Sequence, residues 1–287
     1  METKGSGFVV ARTRWQAIET THGSQNIRVI DDDDLLAWAR ENDMPPWEAQ
    51  KEALHQGILP LRYLKNLWAF RWEDQQALAE ATVFVCGCGG LGGVVAQLLA
   101  RAGVGHLVLC DSDVFFPSNL NRQWFALPST MGRPKAAEAA LGSRLINPLI
   151  RVSSFQEPLT PKTAHRLLDG CHTAVDALDN LESRFLLEKA ARSLSIPMVH
   201  GAVAGWLGQV ATFLPDSSIG LSAIYGDRRK RSEAEEDLGV LGPAPAVIGS
   251  LQAMEILRLL TGRPPAYAGR LLYFDGETGT CHIVPLS

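Results

Sequence analysis

The sequence predicts an α/β protein built on a doubly wound, mostly parallel sheet. From Thr82 onward, short apolar runs alternate with amphipathic helical segments, and the first of these runs leads directly into a glycine-rich turn. Alternation of this kind winds parallel strands with helices on both faces of the sheet. The length of 287 residues suits one large domain with an extension. We therefore predict a helical N-terminal extension over residues 1–61 and a main domain over residues 62–287.

The extension is predicted to contain two helices. Four aspartates, Asp31–Asp34, precede an apolar stripe in residues 35–40, which is the pattern of a helix N-cap with an acidic first turn. Two prolines, Pro45 and Pro46, end this helix, and a second helix follows in residues 47–54. We interpret the acidic run as a solvated helix start rather than as an interaction patch.

The main domain reads as a succession of strands and helices that ends in a hairpin. The predicted strands are residues 82–86, 106–110, 151–155, 173–176, 197–200 and 208–214, and the closing hairpin pairs 270–274 with 281–284. The predicted helices are residues 92–102, 134–145, 161–168, 181–194 and 248–260. The polar stretch of residues 215–237, with its basic run Arg228–Arg231, is predicted to be a mobile surface loop.

The bulk composition excludes several classes of protein. Hydrophobic residues make up 46% of the chain and charged residues 20%, with no apolar run near the roughly 20 residues that a membrane span requires. A net charge of −4 gives no basic footprint for nucleic acid. The N-terminus lacks the pattern of a signal peptide, and we expect a cytoplasmic protein without membrane or nucleic-acid partners.

The cysteines indicate reduced thiols and no zinc site. Their number is odd, and two of them end apolar runs that read as buried strands. A Cys-x-x-Cys pair, the usual unit of a structural zinc site, does not occur in the sequence. The five cysteines are Cys86, Cys88, Cys110, Cys171 and Cys281.

A glycine loop predicts a nucleotide site. Gly87, Gly89 and Gly92 form Gly-x-Gly-x-x-Gly between a predicted strand and a predicted helix, where bare backbone can approach phosphate oxygens. Asp111 ends the next strand, where its carboxylate can accept from ribose hydroxyls. On these residues alone, a nicotinamide-dependent dehydrogenase is an equally good interpretation.

Polar residues beyond the second strand favour transfer chemistry. Asn119, Arg122 and Lys135 follow that strand, close to the glycine loop in any doubly wound sheet. Cations beside phosphates serve phosphoryl or nucleotidyl transfer, whereas a hydride transfer gains nothing from them. A structural ion pair remains an alternative for either cation taken singly.

Two aspartates follow a later strand and are candidate magnesium ligands. Mg²⁺ favours one or two carboxylates together with phosphate oxygens and water. Asp179 is the favoured ligand, and Asp176 is an alternative. Either residue could instead be the N-cap of the helix that begins at Leu181.

Taken together, these motifs resemble the ubiquitin-activating (E1-like) superfamily, and most of all its bacterial sulfur-carrier adenylyltransferases of the ThiF/MoeB/HesA type. The resemblance covers about residues 62–284. It implies ATP-dependent adenylation of the C-terminal glycine of a small ubiquitin-like carrier of the thiamine or molybdopterin type, which ends in Gly-Gly. The motifs that carry it are Gly87–Gly92, Asp111-x-Asp113, Ser118–Gln123, Lys135, Asp176-x-x-Asp179-Asn180 and Gly249–Glu255.

The resemblance also implies a role for each site residue. Asp111 would bind the ribose, Lys135 would stabilise the transferring α-phosphate, and Asp179 would bind magnesium. Asn119 and Arg122 would contact the phosphates. The remaining residues expected at the nucleotide are Gly87, Gly89, Gly90, Gly92 and Asp113.

The chain departs from the family pattern at two places. The family is usually a homodimer in which an arginine of an Arg-Tyr-x-Arg-Gln element reaches the neighbouring site, and Lys65 stands at that arginine's position here, with Arg62 as a possible substitute. The chain also has no cysteine between Cys171 and Cys281, where many relatives carry a nucleophile. We therefore expect adenylation without a covalent thioester. A non-catalytic scaffold that binds a carrier or a partner subunit is a further alternative.

Overall fold

The computed structural model describes residues 15–22, 25–228 and 237–287. The described chain forms an eight-stranded sheet and a separate three-stranded sheet. The strands are β1 (Ile18–His22), β2 (Gln25–Ile30), β3 (Ile58–Pro60), β4 (Thr82–Cys86), β5 (His106–Cys110), β6 (Arg151–Phe155), β7 (Thr173–Asp176), β8 (Met198–Ala204), β9 (Leu207–Phe213), β10 (Arg270–Asp275) and β11 (Thr280–Pro285). The helices are α1 (Asp32–Glu41), α2 (Pro46–His55), α3 (Trp72–Glu80), α4 (Gly90–Ala102), α5 (Lys135–Ile146), α6 (Pro161–Leu168), α7 (Leu181–Ser193), α8 (Ser222–Tyr225) and α9 (Pro243–Leu260).

The large sheet has the strand order β11-β10-β9-β8-β7-β4-β5-β6. Strands β4 to β8 are parallel, and β9, β10 and β11 add antiparallel to the edge at β8. The chain lays down β4, β5 and β6 in one direction and then returns to place β7 on the other side of β4. This reversal opens a crevice at the carboxyl ends of β4 and β7, where open α/β sheets bind their ligands. The predicted fold class, with its C-terminal antiparallel hairpin, is confirmed.

Helices cover both faces of this sheet, because alternate residues of each strand point to opposite sides. Val83 and Val85 of β4 lie in a core shared with α4, α5 and α9. Phe84 lies in a second core on the other face, which is shared with α6 and α7. Strands buried on both faces explain the nearly continuous apolar runs in the sequence.

The predicted boundaries agree closely with the observed ones in the parallel part. Strands β4, β5, β6 and β7 begin and end at the predicted residues. Helix α4 begins at Gly90 rather than at the predicted Gly92, because the last glycines of the loop already form its first turn. Of the predicted loop at residues 215–237, the structure describes 215–228, which include α8, and residue 237. Within the basic run only Arg228 is among the described residues.

The N-terminal extension contains the two predicted helices, α1 and α2, and also strands that the sequence analysis missed. Strands β1 and β2 are antiparallel, and β3 pairs parallel to β2. The extension packs its own apolar cluster, which includes Leu35 and Trp38, against Leu149 of the main domain. It is therefore a small α/β layer rather than a purely helical one. No described helix has both the length and the apolar character to span a membrane.

Candidate nucleotide-binding site

A cavity of about 290 Å³ lies at the carboxyl ends of β4, β5 and β7. Its position is the one expected for a ligand in a doubly wound sheet. Gly92, Asn119 and Lys65 are not among the residues that line it. The predicted site residues that do line it are Gly87, Gly89, Gly90, Asp111, Asp113, Arg122, Lys135 and Asp179.

The glycine loop has no room for side chains at two positions. Gly87 has a φ of +94°, and a Cβ there would lie 2.5 Å from the carbonyl oxygen of Ala177. A Cβ on Gly92 would lie 1.8 Å from the carbonyl oxygen of Gly87. Gly92 therefore serves close packing between helix and loop instead of lining the cavity. Gly90 and Leu91, in the first turn of α4, line the cavity. The backbone amides and the dipole at this helix N-terminus favour an anion there.

Asp111 holds the loop in this shape. Its Oδ2 accepts from the backbone N–H of Cys88 at 2.7 Å, and its Oδ1 accepts from the N–H of Asp113 at 2.8 Å. Burial raises the pKa of the Asp111 carboxyl above its usual range, although these two hydrogen bonds oppose the shift. The carboxylate thus ties the end of β5 to the glycine loop while it lines the cavity. Its contact with a ribose remains a prediction.

Both predicted cations lie in the cavity wall. Lys135, the first residue of α5, is 8% exposed, and its Nζ lies 2.9 Å from Oδ2 of Asp113. Arg122 donates from Nη1 to the carbonyl oxygen of Ser118 at 3.0 Å and to Oδ1 of Asn121 at 2.8 Å. These contacts hold the two positive charges in the wall of the cavity.

Asn119 has a local structural role and does not line the cavity, whereas Gln123, four residues later, does line it. Oδ1 of Asn119 accepts from the N–H of Phe116 at 2.9 Å and so closes a short 3-10 turn. Gln123 lines the cavity, is 7% exposed, and its Oε1 has no hydrogen-bond partner among the described residues. An orphaned acceptor in the wall suits a ligand that carries a hydroxyl or amino donor. In the sequence, only its place directly after Arg122 pointed to it.

The two candidate metal ligands have different surroundings. Asn180 is the N-cap of α7, because its Oδ1 accepts from the N–H of Ser183 at 2.9 Å, so neither aspartate has that role. Asp176 is fully buried beside Arg184, at 3.5 Å. Asp179 is exposed and lines the cavity. An open carboxylate beside the cavity fits the ligand chemistry of Mg²⁺.

The structure assigns Lys65 and Arg62 to a different region from the cavity. Arg62 pairs with Asp32 of α1 and donates to the carbonyl oxygen of Ile146 at 2.9 Å, so it is engaged within its own chain. Lys65 is exposed on the 3-10 helix Leu61–Asn66. That helix packs beside Gly103, at the end of α4 remote from the cavity, where a Cβ would lie 2.6 Å from the ring of Tyr63.

A second cavity, of about 370 Å³, adjoins the first. Arg184 and Val203 line both cavities and form the wall between them. The second cavity is mainly apolar, with the polar side chains of Gln209 and Tyr225 among its lining residues.

The fold and the site together define a nucleotide-binding protein of the Rossmann type. The chain belongs to the ThiF family, whose family model matches residues 63–287. This membership confirms the resemblance predicted from the motifs and identifies the chain as an adenylyltransferase-family enzyme that uses ATP.

Comparison with individual proteins agrees with the family. The chain is 36% identical to the SAMP-activating enzyme E1 of Haloferax volcanii over 74% of its own length and 79% of that protein. It is 38% identical to the sulfur carrier protein adenylyltransferase of Thermus thermophilus over 71% of its length and 78% of that protein. Its match to the longer adenylyltransferase and sulfurtransferase MOCS3-1 of Zea mays covers about half of that protein's length, 49%.

The fold has solved counterparts. The crystal structure of E. coli MccB with ATP superposes with a TM-score of 0.69 and 17% identity, covering 90% of this chain and 80% of that one. At this identity the likeness concerns the fold alone.

Proposed function

We propose that the protein adenylates the C-terminal glycine of a small ubiquitin-like sulfur-carrier protein, using magnesium-ATP, in the cytoplasm and as a homodimer. Two relatives above 35% identity are named for SAMP activation and for sulfur-carrier adenylation. The carrier would be of the thiamine or molybdopterin type. The absence of cysteine between Cys171 and Cys281 supports adenylation without a thioester on this chain.

One arrangement carries the proposal. Two cations and an open carboxylate, Arg122, Lys135 and Asp179, line the same cavity as the glycine loop. Hydride transfer develops no new charge on the phosphates of its cofactor, so two cations there would not assist the reaction, which disfavours a nicotinamide-dependent oxidoreductase. A transfer reaction at phosphorus does use them, because negative charge grows on the phosphate oxygens in the transition state.

The reaction follows from these positions. A carboxylate oxygen of the carrier attacks the α-phosphorus of ATP in line, the bond to the bridging oxygen breaks, and pyrophosphate leaves with its electron pair. The product is an acyl adenylate. Arg122 and Lys135 reduce the repulsion between the two anions, and the glycine loop with the α4 N-terminus holds the phosphates in line.

Asp179 would hold the magnesium ion. Bound there, the ion would supply positive charge to the phosphate oxygens. The Asp179 carboxylate is exposed at the cavity, whereas Asp176 is buried in the core, so of the two candidate aspartates only Asp179 would reach the ion.

The second cavity would receive the last residues of the carrier. It shares the wall residues Arg184 and Val203 with the nucleotide cavity, so an extended peptide bound in it would end close to the nucleotide.

The deciding experiment is ATP–pyrophosphate exchange in the presence of each small carrier ending in Gly-Gly. We expect carrier-dependent exchange in the wild type and a loss of orders of magnitude in Arg122→Ala. A titration that compares NADH with ATP tests the oxidoreductase alternative. A wild type that binds ATP without any exchange would favour the scaffold alternative.

A further inference from the structure

A buried cluster of charged and polar side chains lies behind the nucleotide cavity. Asp176 of β7, Arg184 of α7 and His200 of β8 are each no more than 1% exposed. Oδ2 of Asp176 lies 2.7 Å from Nδ1 of His200 and 3.5 Å from Nη1 of Arg184. A buried ion pair of this kind contributes little net stability, because desolvation of the charges offsets their attraction. We therefore look for a role of this ion pair other than stabilisation of the fold.

The cluster is hydrogen-bonded to the backbone of the loop that follows β7. The N–H of Leu178 donates to Oδ1 of Asp176 at 3.1 Å, and the carbonyl oxygen of Leu178 accepts from Nη2 of Arg184. Both polar groups of one peptide segment are thus held from the core side. The next residue is Asp179, and the preceding one, Ala177, packs against Gly87.

The protonation states of Asp176 and His200 are consistent with these hydrogen bonds. The nearby charge of Arg184 and the hydrogen bond from His200 lower the pKa of Asp176 in spite of its burial, which acts in the opposite direction. Asp176 is therefore an acceptor only, so Nδ1 of His200 is the donor between them. Burial lowers the pKa of His200, which keeps the imidazole neutral and leaves its Nε2 as an acceptor.

The outer side of the cluster reaches the second cavity. Nε2 of His200 lies 3.1 Å from the hydroxyl of Tyr225, and that hydroxyl accepts from Nε2 of Gln209 at 2.6 Å. Arg184 also donates from Nη1 to the carbonyl oxygen of Gly201 on β8, at 3.0 Å. The cluster thus spans the wall between the two cavities.

We propose that Asp176, Arg184 and His200 form a clamp that positions residues 177–180, and with them Asp179, at the nucleotide cavity. They are positioning residues and not ligands. The value of the clamp to catalysis rests on the proposed function, but the clamp itself is a property of the free protein.

The test is amide hydrogen exchange at Leu178 in the protein without nucleotide. Arg184→Lys removes the guanidinium that holds the carbonyl oxygen of Leu178, and His200→Leu removes the donor to Asp176. Either loss should loosen the hydrogen bond from the N–H of Leu178 to Asp176 and speed exchange at Leu178 about tenfold or more. His200→Asn keeps a donor near the position of Nδ1 and should restore protection toward the wild-type value. Arg263→Lys is the matched control, because Arg263 also pairs with a buried carboxylate, that of Asp74, at 2.8 Å but away from both cavities.

The pair His200→Leu and His200→Asn keeps the test decisive if Arg184→Lys does not fold. Unchanged exchange at Leu178 in His200→Leu overturns the proposal, and so does an equal increase in Arg263→Lys, which would indicate general loosening.

Magnesium-ATP affinity, measured by calorimetry, is the second readout. We expect a loss of about tenfold or more in His200→Leu and recovery in His200→Asn, as for residues that orient a metal ligand. Wild-type protein that binds no magnesium-ATP would contradict the proposed function while leaving the exchange result to judge the clamp.

Discussion

Asp113 holds Lys135 at two points. Its Oδ2 lies 2.9 Å from Nζ of the lysine, and its backbone carbonyl accepts from the N–H of Lys135 at 2.9 Å. The lysine side chain is 10% exposed and that of the aspartate 57%. The positive charge is therefore fixed in the cavity wall before any nucleotide binds, and its partner stays in contact with water.

Replacement of Lys135 by methionine separates charge from packing. Lys135→Met keeps an unbranched apolar stem and leaves Asp113 solvated, so the free energy of unfolding should change by only about 1 kcal/mol or less. Carrier-dependent ATP–pyrophosphate exchange should fall by about 10²–10³-fold, because a charge that stabilises the transition state is lost. Lys162→Met, at an exposed position on α6, is the control. Wild-type exchange rates in Lys135→Met would refute the assigned role.

Gly87 in the glycine loop and Gly132 before α5 both have a positive φ, which allows a comparison. Gly87 and Gly132 have φ values of +94° and +76°, but a Cβ has no neighbour within 4 Å at Gly132 and meets Ala177 at Gly87. Gly132→Ala should cost about 1–2 kcal/mol of stability from backbone conformation alone. Gly87→Ala adds a steric clash of about 1–3 kcal/mol and should also weaken ATP binding. Urea unfolding measures the stability of the two variants, and calorimetry measures their ATP affinity. Equal losses of stability in Gly87→Ala and Gly132→Ala would contradict the steric argument.

Some of this architecture could be predicted from the sequence, for physical reasons. The parallel strands are buried on both faces, so they appear as continuous apolar runs, and the glycine loop needs particular residues at fixed spacing. Strands β1 to β3 have no such pattern. β3 is only three residues long, and it pairs with β2 across the two helices between them.

The clamp escaped prediction for another reason. Asp176, Arg184 and His200 stand on three different elements, and only the tertiary fold brings them together. Asp176 appeared in the sequence as an alternative metal ligand, but its burial and its partners exclude it from the cavity lining. Gln123 likewise became a candidate only through its orphaned oxygen in the cavity wall.

The remote position of Lys65 yields a test of the proposed homodimer. If Lys65 serves the site of the neighbouring protomer, Lys65→Ala should lower ATP–pyrophosphate exchange without loss of stability, because the side chain is exposed. Mixed dimers of Lys65→Ala with Lys135→Met contain one site in which both lysines are intact. Mixing the two impaired variants under exchange conditions should therefore restore activity. A mixture that stays as inactive as its components would exclude this arrangement.

His106 gives a prediction about acidity and stability. Burial, together with the nearby charge of Arg151, lowers the pKa of His106 from 6.5 to about 4. The unfolded chain then binds more protons than the folded one between these two values, so this contribution to stability is complete above pH 6.5 and lost as the pH falls toward 4. An NMR titration should locate the imidazole midpoint near 4. Arg151→Gln should raise that midpoint by removing a positive charge, and it should narrow the pH range over which the free energy of unfolding declines. A midpoint in the wild type near the unperturbed value would contradict the partial burial of this ring, which lies 2.9 Å from the hydroxyl of Ser153 on β6.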